Sequence, residues 1–189
     1  MTRKTKLTLN IVSSLLYQLV TMICGFILPR LFLSCYGSKV NGLVNSITQF
    51  LGFITLAECG VGAVVQSALY KPLANKDIHE VSKIVVSADR FFKRIAYILL
   101  GYTAILMIFY PLITQESFNY LFTLILVFVI SISSFAQYYL GMTYKLLLNA
   151  DQLGFIQYSI HAVTLVLNTV SCVLLMKSGA SIQIVKLVT

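Results

Sequence analysis

One acid stands inside a long apolar run. Between Lys39 and Lys71 the only charged residue is Glu58, in the stretch "GFITLAECGVGAVVQS". A carboxyl group held in hydrocarbon can relay a proton or a cation, or it can anchor one end of a buried charge pair. The bland alternative is a hydrogen-bonded structural acid near the inner rim. Ionised and alone it would cost about 2.5–3.5 kcal/mol on insertion scales, so it needs a proton, a donor or a cation. A second set lies further along. Gln157, His161, Thr164, Asn168 and Ser171 are spaced 4, 3, 4 and 3 residues apart, which puts them on one helix face. Gln157, His161 and Asn168 are the larger polar groups among them and are expensive to bury without partners. They join Glu58 as candidates for a substrate or ion pathway. Arg30 follows Lys6 by a distance of about 36 Å along a helix. It reads either as an interfacial anchor or, turned inward, as a fixed positive charge for an anionic, phosphate-bearing ligand.

The elements that must position these groups are membrane helices. The chain is 58% hydrophobic and 11% charged, with a mean hydropathy of +0.88, whereas a soluble domain carries about 25% charged residues. Apolar runs at Leu7–Pro29, Val40–Tyr70, Ile95–Ile113, Ser117–Tyr144 and Gln152–Met176 are each long enough to cross a bilayer. The pattern predicts an all-α, multi-span bundle forming a single membrane domain over 1–189. Five spans are expected, at about 7–33, 41–70, 94–114, 117–142 and 152–176, with a sixth beginning near Ala180. The first run exceeds a signal-peptide core of about 7–15 residues and no A-x-A site follows it, so it is expected to remain as an anchor.

The net charge of +8 is explained by where the cations fall. With the N-terminus inside, the cytoplasmic segments hold Arg3, Lys4, Lys6, Lys71, Lys76, Lys83, Arg90, Lys93, Arg94 and Lys145. The outer segments hold only Arg30, Lys39 and Lys177. This is the positive-inside bias; it sets the N-terminus in the cytoplasm and removes any need for a nucleic-acid partner. The cytoplasmic connection 71–93 is amphipathic, with Ile78, Val81, Ile84, Val85, Ala88, Phe91 and Phe92 at helical spacing. Asp77 followed by Glu80 resembles a capping box, so a helix is expected from about Asp77 into the third span. It is either a solvated connector or an interfacial helix touching anionic membrane lipids. Pro29 is expected to kink the first span, Asp151 to cap the fifth, and Glu116 is the only charge in the outer turn "TQES".

Weakly polar stripes recur in other spans: Asn10, Ser14, Tyr17 and Thr21 in the first; Asn45, Thr48, Gly52, Thr55, Cys59, Gly62 and Gln66 in the second; Ser131, Ser134, Tyr138 and Gly141 in the fourth. They should face neighbouring helices or a water-filled cavity, or serve as ordinary small-residue packing surface. The four cysteines lack C-x-x-C spacing and suggest neither a disulfide framework nor a zinc site. No P-loop, H-E-x-x-H or G-x-S-x-G is present. "GVGAVV" places Val65 where a dinucleotide fingerprint needs its third glycine. No catalytic residue, cofactor or metal is expected, and the chain does not read as an enzyme.

Several short motifs follow one another in an order that resembles a known family. R-x-F-x-x-x-Y-G runs from Arg30 to Gly37, N-G-L covers Asn41–Leu43 and Q-F-L covers Gln49–Leu51. L-A-E-x-G-V-G follows at Leu56–Gly62, L-Y-K-P-L-A at Leu69–Ala74 and N-A-D-Q at Asn149–Gln152. Together they resemble the N-terminal region of Wzx-type polysaccharide flippases, in the multidrug/oligosaccharidyl-lipid/polysaccharide exporter superfamily. The resemblance implies a bacterial inner-membrane transporter with two six-helix lobes. Its substrate would be an undecaprenyl-pyrophosphate-linked oligosaccharide, moved between leaflets by alternating access during surface polysaccharide synthesis. It also implies charged groups along the pathway, which brings Glu58 and Arg30 forward. In the related lipid II flippases a glycine follows the Ala-Glu pair where Cys59 stands here, and their helix-one arginine aligns with Leu28, so that role is not carried to Arg30. Implied partners are membrane lipids, a C-terminal lobe completing the transporter, and polysaccharide polymerase or glycosyltransferases. Five spans and the start of a sixth make less than one lobe of that pattern, so the chain reads as an N-terminal fragment, from a truncated gene or a partial sequence. Two other readings stay open: a drug/cation antiporter of the same superfamily, and a non-transporting membrane scaffold that holds an assembly enzyme through residues 71–94.

Overall fold

The computed structural model describes residues 3–58, 60–115 and 117–188. Cys59 and Glu116, named above, lie outside the described residues. The chain is a helix bundle: α1 (Arg3–Gly52), α2 (Thr55–Glu58), α3 (Val61–Ala74), α4 (Ile78–Thr114), α5 (Tyr120–Ala136), a π-helical turn (Gln137–Gly141), α6 (Met142–Ala150), α7 (Gly154–Lys177) and α8 (Ile182–Val188). No strand occurs among the described residues. A sequence this apolar folds as helices because lipid offers no partner for backbone N–H and C=O groups, so each segment must satisfy its own. Four helical stretches are long and apolar enough to cross a membrane: Lys4–Gly52, Ile78–Thr114, Tyr120–Ala150 and Gly154–Lys177. The protein is therefore an all-helical membrane protein.

The first part of α1 runs beside α7 in the same direction. Lys6 Nζ meets Asp151 Oδ1 at 3.3 Å, the Tyr17 ring lies 6.1 Å from Tyr158, and Tyr36 donates from its hydroxyl to the Ala180 carbonyl at 2.7 Å. The chain then turns back, because Tyr70 and Ala74 line a cavity together with Lys6 and Asp151. The reversal falls at Gly37, whose φ of 79° and ψ of 169° interrupt α1. α4 then leaves the Lys6–Asp151 end, and α5 with α6 returns alongside it: the Tyr97 and Tyr139 rings sit 6.2 Å apart. The core joins Leu43, Ile47 and Leu51 of α1 to Phe92, Ala96 and Leu99 of α4, to Leu126 and Val127 of α5, and to Val185 of α8. The segment of α1 before Gly37 stands mostly outside that core, with Leu15, Leu19 and Phe26 exposed and available to lipid.

Four expectations need correction. Val40–Tyr70 is not one continuous helix. Helix α1 stops at Gly52, α2 occupies one turn, and α3 restarts at Val61, which is why four helices rather than five meet the length and hydropathy of a crossing. The single-face stripe drawn through this span loses its phase at the interruption. The boundaries around 34–40 also differ: α1 stays helical through Pro29 and on past Arg30 to the break at Gly37, so the first helix outruns the expected 7–33. The cap of α7 comes from elsewhere. Asp151 is engaged by Lys6, which also donates to the Asp151 carbonyl at 2.9 Å, and the N-cap position is Leu153, with no side-chain cap of its own. Asn10 of α1 fills the gap. Its Oδ1 accepts from the Phe155 N–H at 2.6 Å and its Nδ2 donates to the Gln152 carbonyl at 3.0 Å. Asp77 does cap α4, accepting from the Glu80 N–H at 3.1 Å.

Asn10 thus serves as an N-cap supplied from a different helix. Replacing Asn10 with alanine should lower the unfolding free energy by about 1–2 kcal/mol, read by equilibrium unfolding in detergent with far-ultraviolet circular dichroism. Ser14→Ala is the control, since the Ser14 hydroxyl only donates within its own helix, to Ile11. Equal losses for the two would remove the capping role of Asn10.

Candidate functional site

Glu58 sits at an interruption of a membrane-embedded segment. A broken helix at this depth releases backbone groups that lipid cannot satisfy, and the fold supplies their partners. The Phe50 carbonyl accepts from the Tyr102 hydroxyl of α4 at 3.0 Å, and the Gly52 carbonyl accepts from Thr55 Oγ1 at 2.8 Å. The Phe53 and Ile54 N–H groups reach back to Phe50 and Leu51 at 3.2 and 3.3 Å. Gly60 restarts the chain with φ 75° and ψ 2°, a left-handed conformation that glycine adopts without steric penalty.

The carboxyl of Glu58 meets a phenol. Tyr138, itself buried, donates from its hydroxyl to Glu58 Oε2 at 3.4 Å. The other carboxyl oxygen, Oε1, lies 3.7 Å from where a Cβ on Gly62 would stand, with Leu146 of α6 at 3.5 Å from the same point. A methyl at 62 would stand in ordinary van der Waals contact with both the acid and α6. Tyr138 is part of the π-helical turn Gln137–Gly141, a type of helix irregularity that is frequent at functional sites. Two departures from helical regularity, one in each partner segment, are joined by this single hydrogen bond. A small cavity of about 170 Å³ lies beside it, lined by Thr48, Gly52 and Thr55 on one side and by Ser134, Gln137 and Tyr138 on the other.

The other candidates lie elsewhere. Gln157 Nε2 and His161 Nε2 are 3.4 Å apart on α7, and the His161 ring lies 6.0 Å from Tyr17. They face a second cavity, of about 630 Å³, whose opposite wall is Ser133, Gln137, Gly141, Tyr144 and Lys145. Gln137 lines both cavities. Asn168 accepts from the Cys172 thiol at 3.5 Å, two turns beyond His161. Arg30 is exposed on α1. The structure thus pairs Glu58 with Tyr138 rather than with Gln157, His161 or a cation, and it gathers Gln157 and His161 at a separate cleft. Tyr138, Tyr102 and Lys145 were not among the candidate residues. The stripe in the fourth span contained Tyr138, but no spacing rule could show which neighbour it meets. Among the described residues, no three His, Cys, Asp or Glu side chains converge on a point where a metal ion could be held.

Comparisons with protein-family models, with curated proteins and with solved structures return no match.

Proposed function

We propose that the chain is the N-terminal part of a flippase that moves undecaprenyl-pyrophosphate-linked oligosaccharide across the bacterial inner membrane, with its N-terminus in the cytoplasm. The observation that carries this reading is a coincidence of position. The motif most specific to the flippase resemblance, Leu56–Gly62, falls on the interruption between α1 and α3, and its acid is the one bonded to Tyr138. Discontinuous helices near the bilayer midplane form the substrate and ion sites of many secondary transporters, because unwound backbone is tolerated only where protein or a cavity receives it. In this reading the segment 53–60 is the pivot of the second span, and Glu58 is the group whose partner changes as the pathway opens. Exchange of the Tyr138 hydroxyl for water, a cation or a proton on the carboxyl would release α2 from the π-helical turn.

Glu58→Gln keeps the shape of the side chain and removes its ionisable group. In the bacterium that carries the gene, this substitution is expected to reduce surface polysaccharide by about tenfold or more, the scale of one perturbed hydrogen bond in the protein interior. Labelling of surface polysaccharide on whole cells reads the effect, with membrane abundance of the variant measured in parallel. Normal export at normal abundance would reject the proposed role of Glu58.

A further inference from the structure

The cleft between α6 and α7 has the chemistry of a lipid site. Its cavity of about 630 Å³ is walled mainly by apolar surface, including Met142, Leu148 and Ile160, and it carries Lys145 and Gln157. Lys145 is an exposed cation, and the described acids are committed elsewhere: Asp151 to Lys6, Glu80 to Lys83, Asp89 to Lys93, Asp77 to the α4 N-terminus and Glu58 to Tyr138. Gln157 Oε1 is buried and has no protein donor. That oxygen has no surface open to the cleft, which therefore offers a positive charge to an anion above an apolar wall. Depth agrees with this pairing. Lys145 precedes Ala150, the last residue of α6, by about 7.5 Å of helix rise. Each headgroup layer is about 5–8 Å thick, so Lys145 stands at the boundary between headgroups and acyl chains, on the side where Lys6 meets Asp151. Basic pockets between spanning helices at that level bind anionic headgroups.

We propose that this cleft binds an anionic phospholipid, of the phosphatidylglycerol class, its phosphate on Lys145 and an acyl chain along Ile160. The site goes beyond the flippase reading and stands without it.

The chain contains no tryptophan, so Ile160→Trp gives a single fluorescent reporter on the cavity wall. The full chain carrying this substitution is reconstituted in phosphatidylcholine vesicles, and brominated phosphatidylglycerol or brominated phosphatidylcholine with the same acyl chains is titrated in. Quenching by the anionic lipid is expected at an about fivefold lower mole fraction, the preference one lysine confers near a membrane surface. Lys145→Gln in the same background should abolish the preference, and Phe26→Trp, a reporter on the exposed part of α1, should show none. Equal quenching by the two lipids would make Lys145 a snorkelling residue and overturn the site. So would a preference that survives Lys145→Gln, or a reporter that neither lipid quenches, the sign of a cleft covered by protein. Glu58→Gln should leave the preference intact, so loss of export and loss of lipid binding are read apart.

Discussion

Phe92→Ala should lower the unfolding free energy by about 3–5 kcal/mol, the range for deleting a buried aromatic ring. Phe92 is fully buried, and Ala88, Ile95, Ala96 and Leu99 are buried on the same helix. The adjacent Phe91 ring packs edge-on at 5.4 Å but is only half-buried. Phe91→Ala should therefore cost clearly less, and the pair of variants tests the fold where α4 passes from its polar first half into the apolar second half. Equilibrium unfolding of both in the same detergent decides it; equal losses would mean that the buried face of α4 is not the one described. This face was readable from the sequence over Val81, Ala88 and Phe92, which stood at helical spacing, whereas Ile78, read onto the same face, is exposed. The expected continuation from about Asp77 into the third span also holds, since α4 runs without a break from Ile78 to Thr114.

Gly37→Ala is the second large effect, with an expected loss of about 1–3 kcal/mol. At φ 79° and ψ 169°, Gly37 occupies a region of backbone space that is essentially closed to residues with a side chain. Nothing lies within 4 Å of where its Cβ would be, so the penalty comes from conformation and not from crowding. Gly25 is the matched control. It also has open space around it but lies within the helical run of α1, so Gly25→Ala should stabilise the protein by about 0.5–1 kcal/mol. Opposite signs for two Gly→Ala changes on one helix are the expected result in a thermal unfolding series. Matching signs would show that the reversal does not depend on Gly37.

The hydropathy of the chain foretold an all-helical membrane protein, because hydrocarbon forces the choice of helix wherever the run is long enough. It could not foretell the interruption at 53–60. Composition there is as apolar as in the flanking helices, and the break exists because Tyr102 and Thr55 take up the freed carbonyls. Tyr102 lies far along the chain and on another helix. The same reason hid the partner of Glu58. Gln157 and His161 were natural donors by residue type, but the fold places them on the other cleft and gives the carboxyl to Tyr138. Asn10 is a third instance: its spacing marked a polar stripe, whereas its role as the cap of α7 depends on a neighbour at the far end of the chain. Periodicity reports which residues share a face; only the tertiary arrangement says what that face meets.

The π-helical turn Gln137–Gly141 takes up one extra residue between Tyr120 and Ala150, so the sequence phase of each helix face shifts by one residue, about 100°, across it. The π-helical turn is in this sense a phase offset built into a single rod. Ser134 ahead of it and Tyr138 within it address the interrupted second span; behind it, Tyr144 and Lys145 address α7. The rod couples the two clefts mechanically, and Gln137 lines both. Apart from Gln137, side chains at one cleft can change without altering the other, but any rotation or slide of the rod is felt at both.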